Sequence, residues 1–235
     1  WYRHQHVARR AVARQSRHLD RTSLIVANNT QDRSAPIVGV LALQGDFAHH
    51  EEALAACGLR TRQLRTAGQL GDVDALVLPG GESTTMLKLL EVEKLWDPLG
   101  EALQSGIPIM ATCAGLILLS QHVESPSQKS YGVLPLTVVR NGYGRQYHSG
   151  TFDLASDVLP KGTTGTFIRA PRITALHGEV EVLARRSGDP VLVRRGQVLA
   201  ACFHPELTIG HPVTAMFAQM IRARTAAIDS VGATQ

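Results

Sequence analysis

Three short apolar runs, IVGVLAL (37–43), ALVL (75–78) and PIMA (108–111), each give way within a few residues to a helical pattern. Continuous β-branched and apolar runs of this length suit strands buried on both faces. The segments between them, GDFAHHEEALAAC and STTMLKLLEVEKLW, repeat their apolar residues at helical spacing. Gly58 ends the first, and Ser83 is the expected N-cap of the second. Strand and helix in alternation require a parallel sheet covered by helices on both faces. The second half changes character. GVLPLTVVR, GTFDLAS, TGTFIRAP, GEVEVLARR, PVLVRRG and QVLAACFHP are strand-like with short turns between them. They suggest an antiparallel extension of the same sheet, or a side sheet. VTAMFAQMIRART reads as a closing amphipathic helix. The expected fold is therefore α/β, a three-layer open mixed sheet, mostly parallel with an antiparallel extension.

No composition break or repeat follows residue 36, so one domain is expected over 37–225, with a flexible tail over 226–235. The formal charge of +4 comes from the first 35 residues, which hold seven of the 24 basic residues and two of the 20 acidic ones. The remainder, with 17 basic and 18 acidic residues, is nearly neutral and gives no case for binding nucleic acid. Residues 1–36 are Arg-rich and begin without Met. They are expected to be either a disordered extension or an artefact of cloning or of a misassigned start; a transit peptide or a nucleic-acid arm fits less well. No apolar run approaches the roughly 20 residues of a membrane span. The three cysteines, 57, 113 and 202, form no paired spacing. Neither a disulfide framework nor a zinc site follows, and a cytoplasmic setting fits best.

Ligand sites on open α/β sheets lie beyond the carboxyl ends of the strands. Three pieces fall there: PGGEST after ALVL, TCAG after PIMA, and FHPE after VLAAC. Cys113 stands at a strand-to-helix elbow, where a nucleophile is held exposed. The helix opening at Ala114 would favour thiolate through its N-terminal partial charge. His204 and Glu206 lie two apart, and Pro205 should keep the segment extended with both side chains on one side. A carboxylate there can orient an imidazole that draws the thiol proton, as in a triad. The Gly80–Gly81 turn lets backbone N–H groups reach an oxyanion, and the Ala114 N–H is a second candidate donor. Each piece alone has a plainer explanation. A lone cysteine is usually core, a lone PGG usually a turn, and His177 rivals His204. A metal site on Cys202, His204 and Glu206 lacks a fourth ligand. The coincidence of all three pieces at strand ends favours catalysis.

Together VGVLALQGDFAHHEEAL, LVLPGGESTTM, TCAGLILLS, VVRNGYGRQ, FIRAPRI and FHPELT resemble the class I (triad) glutamine amidotransferases. Within them, the chain resembles the glutaminase subunits of pyridoxal 5′-phosphate synthase, from Ile37 to Arg224. The resemblance implies a flavodoxin-like amidotransferase domain with no cofactor and no metal. It implies that Cys113 attacks the side-chain amide of L-glutamine, with His204 as proton carrier and Glu206 orienting it. Gly81 and Ala114 would form the oxyanion hole. Gly81, Glu82, Ser83, Arg140, Ile168 and Arg169 would hold the glutamine. The ammonia would pass to a partner, a (βα)₈ synthase subunit, in a heteromeric complex, with Gln44, Asn141 and Arg145 near the partner or the ammonia path. Members of that family are poorly active until the synthase docks, so the oxyanion hole of the isolated chain is expected to be incompletely formed. Two departures stand out: Ala111 replaces the usual Gly two before the cysteine, and RNGYGRQYHSG stands in place of the usual RNAFGRQ and its acidic follow-on. A glutaminase for another acceptor, such as imidazole glycerol phosphate synthesis, and a silent regulatory partner remain as alternatives.

Overall fold

The computed structural model describes residues 35–144 and 149–232. Arg145 and residues 1–34 therefore lie outside the described residues, and with them most of the expected N-terminal extension. The main sheet has seven strands in the order β10-β11-β12-β4-β3-β1-β2. These are β1 (Ile37–Leu41), β2 (Arg60–Leu64), β3 (Ala75–Leu78), β4 (Ile109–Thr112), β10 (Glu181–Arg186), β11 (Asp189–Arg195) and β12 (Val198–Ala201). β1 pairs in parallel with β2 and β3, β3 with β4, and β4 with β12; β11 and β10 then continue antiparallel. Both alternatives for the second half are realised. β10 and β11 extend the sheet, while β5 (Ser120–Glu124), β6 (Leu134–Val139) and β9 (Arg172–Leu176) form one side sheet, and β7 (Gly150–Asp153) and β8 (Thr164–Phe167) another.

The core is built from the runs that the sequence offers. β3, β4 and β12 are buried at every position. Helices cover both faces: α1 (Phe47–Ala56) meets α5 (Pro212–Gly232), and α2 (Ser83–Val92) meets both α3 (Trp96–Gln104) and α4 (Ala114–Leu119). Among the described residues no helix is long and apolar enough to cross a membrane.

Four local expectations change. STTMLKLLEVEKLW is not one helix: α2 stops at Val92 and Lys94 turns into the left-handed region at φ 54 before α3 begins. Ser83 is the first helical residue, and Glu82 takes the cap position. The boundary placed at 225 falls inside α5, which continues to Gly232. Ala226, Ala227 and Ile228 carry the helix past that boundary, and Gly232 ends it. Finally, α4 has only six residues before the chain turns into β5, so it supplies little of the dipole expected at Cys113.

Candidate active site

The chain runs from β1 outward to β2, then returns past β1 to β3 and β4. That reversal makes the β1/β3 crevice the switch point, where open sheets take their ligands. Because β12, β4, β3 and β1 are adjacent and parallel, their carboxyl ends share one edge. Val40 pairs with Val77, Leu78 with Ala111, and Thr112 with Ala201. The residues just beyond are Gln44, Gly80, Cys113 and His204, and all four line one cavity of about 330 Å³. That volume lies at the small end of ligand sites and suits one amino acid.

Cys113 occupies a strained elbow, with φ 47 and ψ −100. Left-handed backbone at a residue other than glycine is uncommon and persists where the surroundings hold it. Here the Cys113 N–H donates to the Ala201 carbonyl at 2.9 Å, and the Cys113 carbonyl accepts the first bond of α4 from Ile117 at 3.2 Å. Gly115 lets the elbow close: a Cβ there would lie 2.1 Å from the Leu78 carbonyl oxygen. Ala111 is accommodated in β4, fully buried between Leu78 and Ala200. The Cys113 thiol lies 4.0 Å from the Ile168 carbonyl oxygen, a long sulfur hydrogen bond.

His204 is 7% exposed and Glu206 1%. Pro205 does not keep them extended. It starts a single 3-10 turn, Pro205–Leu207, with His204 at its cap. Proline suits such a first position because its missing N–H is one the turn leaves unbonded. The turn still brings the carboxylate to the ring, with Glu206 Oε1 2.7 Å from His204 Nδ1. Burial alone would lower the His204 pKa. The Cys113 thiol and the Glu206 carboxylate nearby outweigh it and push the imidazole up to about 10. Burial likewise would raise the Glu206 carboxyl, but the His50 charge and the bonds from His204 and His50 hold it well below the usual carboxylate range. Each group thus favours the charged form of the other.

Most of the other expected residues line the same cavity: Gly81, Glu82, Ser83, Arg140, Asn141, Ile168 and Arg169. Arg140 meets Glu82 at 2.8 Å, a cation and an anion side by side on the cavity wall. Such a pair is matched to the carboxylate and ammonium of a free α-amino acid. The Ser83 hydroxyl donates to Gln128 Oε1 at 2.8 Å. Arg169 is left-handed at φ 44, and its N–H donates to Ser149 Oγ. Gln44 has a local task, since its side-chain oxygen accepts the Glu82 N–H at 2.9 Å and so braces the glycine turn. The loop carrying Arg140 and Asn141 is pinned by Tyr143, one of three aromatic rings, with Phe152 and Phe167, that surround the Arg186 guanidinium. Ala114 and Glu206 are buried and do not line the cavity.

His177 is not a rival. Its Nε2 lies 2.6 Å from Thr137 Oγ1 in the side sheet. Cys202 points its thiol to the Pro190 carbonyl, and burial pushes its pKa up. Asp46, His204 and Glu206 bring ligand atoms within 4.8 Å of one another, which is geometry a cation could use. The closest pair among them is already joined as imidazole and carboxylate. Sequence reasoning missed His50, Thr112 and Asp46. The helical spacing of His50, Ala53 and Leu54, all buried, was the available signal for the first.

The model of the SNO glutamine amidotransferase family matches residues 40–223. The chain belongs to this family. The amidotransferase is 45% identical over 191 residues to pyridoxal 5′-phosphate synthase subunit PdxT of Mycobacteroides abscessus, covering 80% of this chain and 99% of that one. It is 49% identical over 172 residues to the PdxT subunit of Pelotomaculum thermopropionicum, covering 73% and 88%. A crystal structure of a glutamine amidotransferase superposes with a TM-score of 0.73 at 43% identity, over 78% of this chain and 98% of that one.

Proposed function

We propose that this amidotransferase hydrolyses L-glutamine at Cys113 and supplies the ammonia to the synthase subunit of a pyridoxal 5′-phosphate synthase complex. The observation that carries the catalytic assignment is the strained Cys113 elbow sharing one cavity with the His204–Glu206 pair. The acceptor is inferred from the relatives, which are PdxT subunits of that synthase.

In the proposed reaction, glutamine enters with its α-carboxylate toward Arg140 and its ammonium toward Glu82. Cys113 gives its proton to His204, and the sulfur bonds to the side-chain amide carbon. The oxyanion is received by the N–H groups of Gly81 and Ala114, each such donor contributing about 3 kcal/mol. The intermediate collapses as His204 returns the proton to the amide nitrogen, and neutral ammonia leaves. Water, deprotonated by His204, then cleaves the γ-glutamyl thioester, and glutamate departs with the thiol restored. Glu206 stabilises the imidazolium at both stages. Docking of the synthase, with Gln44 and Asn141 facing it, completes the oxyanion hole.

Glutamate release is to be measured with and without added synthase subunit. The proposal requires release to rise on addition and to vanish in Cys113→Ala. Equal rates with and without synthase would remove the partner from the scheme, and undiminished release by Cys113→Ala would remove the nucleophile.

A further inference from the structure

Beneath the His204–Glu206 pair lies a second imidazole. His50, on α1, is fully buried, and so is Thr112, the last residue of β4. His50 Nε2 is 3.0 Å from Thr112 Oγ1 and 3.3 Å from Glu206 Oε1. The Thr112 hydroxyl in turn lies 3.5 Å from the same Oε1. Whether the ring donates directly or through the hydroxyl, a proton is directed at the oxygen that receives His204 Nδ1. Glu206 Oε2 and His50 Nδ1 are both buried with no hydrogen-bond partner among the described residues. An imidazole in such a place is expensive, because a buried polar atom left unbonded costs about 1–3 kcal/mol. A leucine would fill the site without that cost. Groups retained against stability in this way concentrate at functional sites.

We infer that His50, acting with Thr112, is a positioning residue for the triad: it fixes Glu206 Oε1 beneath His204 and so sets the aim of the imidazole at Cys113. This rests on the glutaminase assignment above. Held from two sides, Oε1 cannot swing away when His204 gains and loses its proton. Since the carboxylate carries two oxygens and Oε2 has no bond to hold it, the His50–Thr112 contact is the restraint that selects one of them. His50 is not among the residues that line the cavity, and its ring faces Thr112 and Glu206 and not the Arg140–Glu82 pair, so replacing the ring should leave glutamine binding alone. A 1 Å error in aim is enough to cost about 100-fold in rate.

The test uses the full chain with its synthase partner, measuring glutamate release and melting temperature. His50→Leu keeps bulk and removes the donor; His50→Gln places an amide N–H near the position of Nε2; His50→Asn stops one atom short. The expected result is a kcat lower by about 10- to 100-fold in His50→Leu, with KM for glutamine within about twofold of wild type. His50→Gln should recover most of the loss and His50→Asn should not. Should the leucine variant fail to fold, the contrast between Gln and Asn carries the same decision. Thr112→Val should lower kcat in the same way and add little to His50→Leu, because the two act on one oxygen. A His50→Leu enzyme with wild-type kcat, or a loss that Gln does not relieve more than Asn, overturns the inference. A wild-type complex that releases no glutamate overturns the glutaminase assignment instead, and the two failures are told apart by that single control.

Discussion

Adding one methyl group at Gly80 should disable the active site without replacing any side chain in it. A Cβ on Gly80 would stand 2.3 Å from His204 Cε1, 2.9 Å from Nδ1 and 3.3 Å from Nε2. Ordinary contacts begin at 3.4 Å, so the ring has to retreat by about 1 Å. It has no free direction in which to go. Nδ1 is bonded to Glu206 at 2.7 Å, and the ring is 7% exposed. Retreat therefore moves the imidazole off the thiol or off the carboxylate. Gly80 is not among the residues with positive φ, so backbone strain does not confuse the result. Overpacking of this kind costs about 1–3 kcal/mol of stability, and a misplacement of about 1 Å costs about 100-fold in rate. Gly80→Ala is thus expected to fold, to melt a few degrees lower, and to lose kcat/KM for glutamine by about 100-fold. The assay is glutamate release by the complex with the synthase subunit, alongside a thermal melt. A variant that folds and keeps its activity within about twofold would show that the ring is not held where the methyl would meet it.

Two further outcomes follow from the same geometry. Arg140→Met removes a charged donor from the cavity wall, worth about 2 kcal/mol, so KM for glutamine should rise by about 30-fold while kcat changes little; steady-state kinetics of the complex measure this, and a loss confined to kcat would contradict a binding role. Glu206→Gln should flatten the pH dependence of stability. The raised His204 contributes fully below its ordinary 6.5 and loses its contribution as pH rises through about 10. The depressed Glu206 contributes above its ordinary 4.5 and loses its contribution as pH falls below it. The melting temperature of wild type should therefore exceed that of Glu206→Gln most between pH 4.5 and 6.5, and the gap should shrink on either side. A gap that is flat from pH 4 to pH 10 would mean that the pair is not ionised in the fold.

Much of this site was legible because its parts are backbone features with strong residue requirements. Strand ends rich in Val, Leu and Ile announced β1, β3 and β4, and the parallel order then forced PGG, Cys113 and His204 to one edge. What escaped depends on contacts between distant segments. The break between α2 and α3 falls at Glu93–Lys94, without a Gly or Pro to mark it. After Leu119 the apolar helix becomes β5, because Ser120 and Val123 are buried in the β5–β6–β9 sheet, a partner that no local pattern reveals. Pro205 signalled a constraint that reads locally as an extended segment, whereas in the fold it opens a 3-10 turn. His50 looked like one of two neighbouring helical histidines; its spacing with Ala53 and Leu54 placed it on the buried face, but the packing of α1 on the Pro205–Leu207 turn is what brings it to Glu206 while His49 stays exposed.

The central claim is that the sulfur of Cys113 is the nucleophile and that the ring of His204 draws off its proton. It is tested most directly with 6-diazo-5-oxo-L-norleucine, a glutamine analogue bearing an electrophilic carbon in place of the amide. The complex with the synthase subunit is treated with it, and the adduct is located by peptide mass spectrometry. The account predicts one adduct, on Cys113, with Cys57 and Cys202 unmodified and labelling abolished in His204→Ala. Labelling of Cys57 or Cys202 in place of Cys113, or labelling of Cys113 at the same rate without His204, would contradict it.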